Sequence, residues 1–204
     1  MRWRYEVPEG CRLTGADVGS TGVVALQRCT GSAGLQVLLM DGFAGGVTWT
    51  RELSDADGEA RLVGVDRLVD VVVGDTLQVL SPTDGTQLAR LPLGPATVDP
   101  AEEPLQQAGI ADVALVWVRG TVHALEQSTG AVRWSVPATG LPSVGGDGGT
   151  VVVPEAGAFV RRTLADGAEV ARSTAPADVA VGGRTSLVGP VVVHSTADEV
   201  AGYR

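Results

Sequence analysis

Two cysteines, two histidines and a few acidic clusters are the side chains of this sequence with chemistry to offer. Cys11 and Cys29 are its only cysteines. Their spacing is not CxxC and no histidine lies near them in sequence, which argues against a metal or redox pair. Between them lies the turn Gly19-Ser20-Thr21-Gly22, and a hairpin centred near Ser20 sets residues 11 and 29 opposite each other. Cross-strand neighbours are close enough for a disulfide. Such a bond implies an oxidising compartment. The alternative is two reduced, buried thiols. His123 and His194 fall within strand-like runs, and a lone strand histidine is usually structural.

The remaining candidates fail on pattern. Ser54-Asp55-Ala56-Asp57-Gly58-Glu59 resembles part of a calcium loop, but aligned on Gly58 it lacks an acid at Leu53 and a glutamate at Gly64. It reads as a solvated connection. Gly145-Gly146-Asp147-Gly148-Gly149 leads into the strand-like TVVV rather than a helix, so it reads as a turn and not a phosphate cradle. Glu102-Glu103, in the Pro-rich loop 92–104, reads as solvated rather than as an acid pair for glycoside chemistry. Neither GxSxG nor HExxH occurs. The chain has no lysine and no asparagine, so a Walker lysine, a Schiff-base lysine and a glycosylation sequon are all excluded. Catalytic, cofactor-binding and metal-binding residues are therefore left unassigned, and no cofactor is expected.

Net charge and hydropathy narrow the partners. At −9 the chain repels phosphate backbones, and four Trp, two Tyr and two Phe give little to stack on bases. Anionic membrane surfaces are disfavoured for the same reason. No apolar run is long enough for a membrane span, and the N-terminus shows no signal-peptide core, so any targeting segment is expected outside this chain.

What positions these residues is a repeat. Four segments align on a glycine that closes a polar turn: LLMDGFAGGVTW, QVLSPTDGTQLA, HALEQSTGAVRW and VRRTLADGAEVA. The aligned glycines are Gly45, Gly85, Gly130 and Gly167, separated by 40, 45 and 37 residues. Glycine there supplies the positive φ that other residues resist. Upstream of each is a second hairpin with a Val-rich arm, at GVVALQR, VDVVVGD, ALVWVRG and TVVVPEAG, with a fifth at PVVVHSTADE. Gly74-Asp75 and Arg119-Gly120 are connections of the kind that join antiparallel neighbours. A weaker strand is expected before each arm, at 11–18, 60–66, 105–111, 141–145 and 177–183. The unit is thus a four-stranded antiparallel meander of propeller-blade size.

The fold expected is an all-β, single-domain β-propeller of about five four-stranded antiparallel blades over residues 1–204. The blades run over 11–52, 60–91, 105–136, 141–173 and 177–204. The last is completed by residues 2–7, whose RWRYEVP matches the fourth-strand pattern of VTWTREL and VRWSVPA. The rival reading is a piece of a larger ring.

The phrase from Ala124 to Trp134, ALEQSTGAVRW, resembles the tryptophan-docking motif of quinoprotein (PQQ-like) propeller repeats, in which alanine, an acid, Thr-Gly and Trp recur at this spacing. The first unit keeps Asp41, Gly45 and Trp49, and the N-terminal segment keeps Trp3; units two and four have Ala89 and Ala171 in the Trp position. The resemblance implies that Trp3, Trp49 and Trp134 dock neighbouring blades. The family's calcium site needs an asparagine, so its quinone-dependent activity cannot be carried onto this chain. The surroundings of Cys11 and Cys29 are also similar to exported propeller proteins of actinobacteria, in which a cysteine before the first hairpin pairs with one after it. An all-arginine basic set agrees with a GC-rich source. By this resemblance the chain is an extracytoplasmic, non-catalytic module binding an unknown protein or glycan, as scaffold or sensor, with contacts to be sought at loop 92–104 and a parent that is membrane-tethered or secreted. The alternative is a quinone-dependent or hydrolytic propeller enzyme.

Overall fold

In the computed structural model of the chain, residues 3–31, 34–53, 59–96, 105–144, 148–175 and 179–204 are described. Among them are twenty β-strands and no helix, hence no helix long and apolar enough to cross a membrane. Two compact units are distinguished, Met1–Ala96 with Ser128–Gly130 and Thr97–Gln127 with Ala131–Arg204. The candidate calcium loop, most of loop 92–104 with Glu102-Glu103, and Gly145 to Asp147 lie outside the described residues.

The first unit holds two antiparallel sheets. One takes β1 (Cys11–Gly19), β2 (Gly22–Cys29), β3 (Leu35–Met40) and β4 (Val47–Leu53) in that order. The other takes β5 (Ala60–Val65), β6 (Val69–Val73), β7 (Thr76–Leu80) and β8 (Gln87–Pro92). The Val-rich β6 is buried throughout, because a central strand has neighbours on both edges and cover on both faces. Val24, Leu26, Val37, Leu39, Val69 and Val71 belong to the shared core.

The second unit holds three sheets. Its first is the meander β9 (Gln106–Ile110), β10 (Val113–Val118), β11 (Thr121–Glu126) and β12 (Val132–Pro137). Arg119 and Gly120 both take positive φ, 49° and 70°, which joins β10 to β11 by the two-residue hairpin the sequence indicates. Then follow β13 (Gly140–Leu141), β14 (Ser143–Val144), β15 (Thr150–Glu155), β16 (Ala158–Thr163), β17 (Glu169–Thr174), β18 (Gly183–Val188), β19 (Val191–Ser195) and β20 (Val200–Tyr203). Strands β14 to β17 make the fourth sheet, and β13-β18-β19-β20 the fifth.

The fourth and fifth sheets depart from the expected strand plan in four ways. The strand expected at 141–145 divides: Ser143–Val144 pairs with β15, while Gly140–Leu141 pairs in parallel with β18. Residues 179–182, expected as part of a strand, are not one. The run PVVVHS is the third strand rather than the second, so β20 is already the fourth. Residues 3–8 form no strand; Trp3 and Tyr5 pack instead on Ala25, Leu38 and Met40 of the first sheet. The physical reason lies in paired glycines. A β-carbon on Gly140 would stand 2.2 Å from the carbonyl oxygen of Gly183, so only glycine allows this close parallel approach.

Candidate binding groove

One joint recurs three times. At β4 and β12 the sheet carries Trp49 and Trp134 opposite Leu39 and Ala124, and the pairing register shifts by one residue immediately beyond. Each indole lies on the glycine turn of a following sheet. The Trp49 Nε1 donates to the Pro82 carbonyl at 3.0 Å, and the Trp134 Nε1 to Leu164 at 3.0 Å. Trp3 does the same to Gly42 at 2.9 Å, without belonging to a strand. The acceptor always lies three residues before the turn glycine, respectively Gly85, Gly167 and Gly45. Those glycines have φ of 71°, 73° and 74°. A β-carbon on them would come within 2.6, 2.8 and 2.5 Å of the indole. Glycine is therefore required twice over, by backbone angle and by the ring lying against it.

Two joints lack the tryptophan. Ala89 occupies the register position opposite Val79. There the turn glycine Gly130 (φ 68°) closes directly on Val79, Leu88 and Ala89, with a β-carbon position 2.9 Å from the first two. Ala171 occupies the same position opposite Arg161 on β16. Here the fifth sheet offers no glycine turn: β19 and β20 are joined through Thr196–Glu199, where the Thr196 hydroxyl accepts from the Asp198 and Glu199 amides. Both halves of the tryptophan–glycine pair are missing.

What remains is a groove of about 340 Å³ within the second unit, between the fourth and fifth sheets. Its floor is apolar: Val152 and Phe159 are buried, and the rings of Phe159 and Tyr203 meet tilted, 5.0 Å apart. Leu187 and Val192 line the fifth-sheet side, and Val188 beside them is 65% exposed. The charged residues lining it are Arg161, Arg172 and Arg204, with no acid among the lining residues. Arg172 is held on one side by Glu169 (2.7 Å) and Glu155 (3.3 Å), and the Glu169 contact is the main cause that raises its pKa. Arg161 is exposed and makes no ion pair among the described residues.

The other residues singled out by chemistry are placed as follows. Cys11 and Cys29 are directly paired across β1 and β2 and form a disulfide. His194 is buried; its Nε2 donates to the Ala180 carbonyl at 3.0 Å and its Nδ1 faces the Thr185 hydroxyl at 3.4 Å. Its ring also lies where a side chain on Gly183 would stand. His123 lies 2.8 Å from the Ser135 hydroxyl, and burial pushes its pKa down. Trp117 is in the core and donates to the Ala138 carbonyl at 3.0 Å. Arg133 bridges Glu126 (3.0 Å) and Asp112 (2.5 Å), which together push its pKa up. Sequence reasoning flagged Ala171 as a missing tryptophan, but it passed over Arg161 and Tyr203, whose positions depend on strand register.

No family model matches the chain, and no curated protein matches it in sequence. Solved structures match it in fold. BamB from Moraxella catarrhalis superposes with a TM-score of 0.64 at 17% identity, over 94% of this chain and 61% of that one. Hsv2 from Kluyvelomyces marxianus gives 0.55 at 10% identity, over 94% and 62%. A third match is BBS1N in complex with ARL6DN, at 0.50 and 12% identity, over 98% and 67%. The chain spans less than two-thirds of the length of the first two. At these identities the likeness establishes the fold alone, which is all-β and of the β-propeller type.

Proposed function

We propose that this chain is a non-catalytic, extracytoplasmic propeller module of PQQ-like type that binds a protein partner through the groove between its fourth and fifth sheets. The observation that carries this reading is the unsealed joint at Ala171, where an apolar floor and an arginine rim stand open in a repeat that closes the same position with Trp49 and Trp134. The Cys11–Cys29 disulfide supports an oxidising compartment. The solved complex of BBS1N with ARL6DN is a protein–protein assembly on a similar fold. Export from an actinobacterial source fits the sequence pattern around the cysteines, and PQQ is not needed by this reading. Loop 92–104 gives way to the groove as the first place to look for contacts.

The test is a photoreactive amino acid placed at Leu187 and, as control, at the exposed Arg51, in cells of the source organism. A discrete protein adduct from Leu187, absent from Arg51 and lost when Ala171 is also changed to Trp, is the expected result. Adducts of equal yield from both positions, or none from either, refute it. A thermal shift of several degrees with PQQ and Ca²⁺ would favour a quinone-dependent enzyme instead.

A further inference from the structure

We infer that the groove takes an acidic segment of a partner protein that brings a large apolar side chain into the space beside Ala171. This rests on the reading of the groove as a protein site and names the chemistry of its occupant.

Two substitutions at one register pair define the site. In the first three sheets the pair is Leu39 with Trp49, Val79 with Ala89, and Ala124 with Trp134. In the fourth sheet it is Arg161 with Ala171. The wide residue has become small, and the apolar partner has become a cation. The lost bulk leaves an apolar recess over Val152, Phe159 and Tyr203. An apolar side chain that fills it removes that surface from water, the main driving force in such contacts.

Charge then selects the occupant. The whole chain carries 24 acidic residues against 15 arginines, yet the charged side chains lining this groove are Arg161, Arg172 and Arg204; Arg172 is already paired with Glu155 and Glu169, so the positive charge on offer rests on Arg161 and Arg204. Arg161 in particular has no ion pair among the described residues, although acids are plentiful in the chain. A guanidinium presents a planar fork that suits carboxylates. Complementary charge at a groove rim steers encounter and rejects like-charged segments. A nucleic acid would meet the same arginines, but its long phosphate run would also meet the acidic remainder of the surface.

Fluorescence anisotropy on the intact, disulfide-bonded chain tests this with three labelled peptides. One alternates Glu with Leu and Phe, and the others replace every Glu by Gln or by Lys. The acidic peptide is expected to bind about tenfold more tightly than the Gln peptide, with the Lys peptide weakest, and to lose that advantage in 0.5 M salt as screening sets in (~ten-fold being the scale of a few rim charges). Arg161→Leu, which restores the residue type of the first three sheets, and the milder Arg161→Gln should both bring the acidic peptide to the level of the Gln peptide. Ala171→Trp should abolish binding of both. Equal binding of the acidic and Gln peptides, with the Leu187 adduct still formed, overturns the acidic chemistry and leaves the protein site standing. Absence of both peptide binding and the adduct overturns both. Tighter binding of a labelled single-stranded oligonucleotide than of the acidic peptide also overturns the inference.

Discussion

Within the second unit, Trp134 and Ala171 occupy the same register position in successive sheets, each directly after the extra residue of an equivalent bulge, Arg133 and Val170. Around Trp134 the joint is shut: the indole is buried, its N–H is satisfied by Leu164, and Gly167 lies flat against the ring. Around Ala171 the joint is open, with an arginine across from it and a groove below. The strand register is the same in both places, but the facing turn is not: Gly167 lies on Trp134, whereas the fifth sheet turns through Thr196–Glu199. The open joint thus differs in the side chains of its register pair and in the turn that would have covered them.

The contrast breaks most severely if Trp134 is dispensable. Trp134→Ala should cost about 3–5 kcal/mol in urea unfolding, from lost burial, a residual cavity and an orphaned Leu164 carbonyl. A loss near 1 kcal/mol would mean that the closed joint does little more for stability than the open one. Removing the disulfide tests whether the groove depends on stability in general. Replacing Cys11 and Cys29 by Ser should cost about 3 kcal/mol for a loop of this length, yet leave peptide affinity unchanged by anisotropy. Weaker peptide binding in that variant would make the groove a by-product of overall looseness.

Glycine substitutions sharpen the comparison. Gly167 and Gly157 have nearly equal φ, 73° and 71°, but a β-carbon at Gly157 meets nothing within 4 Å. Gly157→Ala should therefore cost about 1 kcal/mol, the strain of a left-handed alanine. Gly167→Ala should cost about 1–2 kcal/mol more, because Trp134 must also move. Equal costs by denaturant titration would show that the ring is not pressed on the turn.

The smallest effect is pH dependence through His123, whose folded pKa is lowered by burial. A lowered histidine pKa means the unfolded chain takes up the proton first. Its contribution is therefore full above the unfolded value near 6.5 and is lost as pH falls below it towards the folded value. His123→Gln should flatten the melting temperature between about pH 7 and 5 relative to the parent chain. An unchanged slope would assign that pH dependence elsewhere.

The sequence carried the repeat because its strongest signals are local. Gly45, Gly85, Gly130 and Gly167 each take the positive φ that their turns demand. Cys11 faces Cys29 only because a bulge between Leu13 and Gly15 shifts by one residue the register set at Gly19 and Gly22. The groove was only half visible. A missing tryptophan can be read at Ala171, but that Arg161 lies across from it follows from the bulge after that pair, which no local pattern announces. The parallel pairing of Gly140–Leu141 with β18 left no trace either, since two residues are too few to show a period.

That short parallel pairing also bears on how the chain comes to be made. Gly140 and Leu141 are synthesised before the whole of the fourth sheet, but their partners Gly183 and Arg184 come after it. On the ribosome the fourth sheet can fold as a local meander, while the two waiting residues keep their hydrogen-bonding groups in water until the late strand arrives. During vectorial synthesis the fifth sheet is therefore completed after the fourth, and the groove between them forms only once β18 to β20 have emerged.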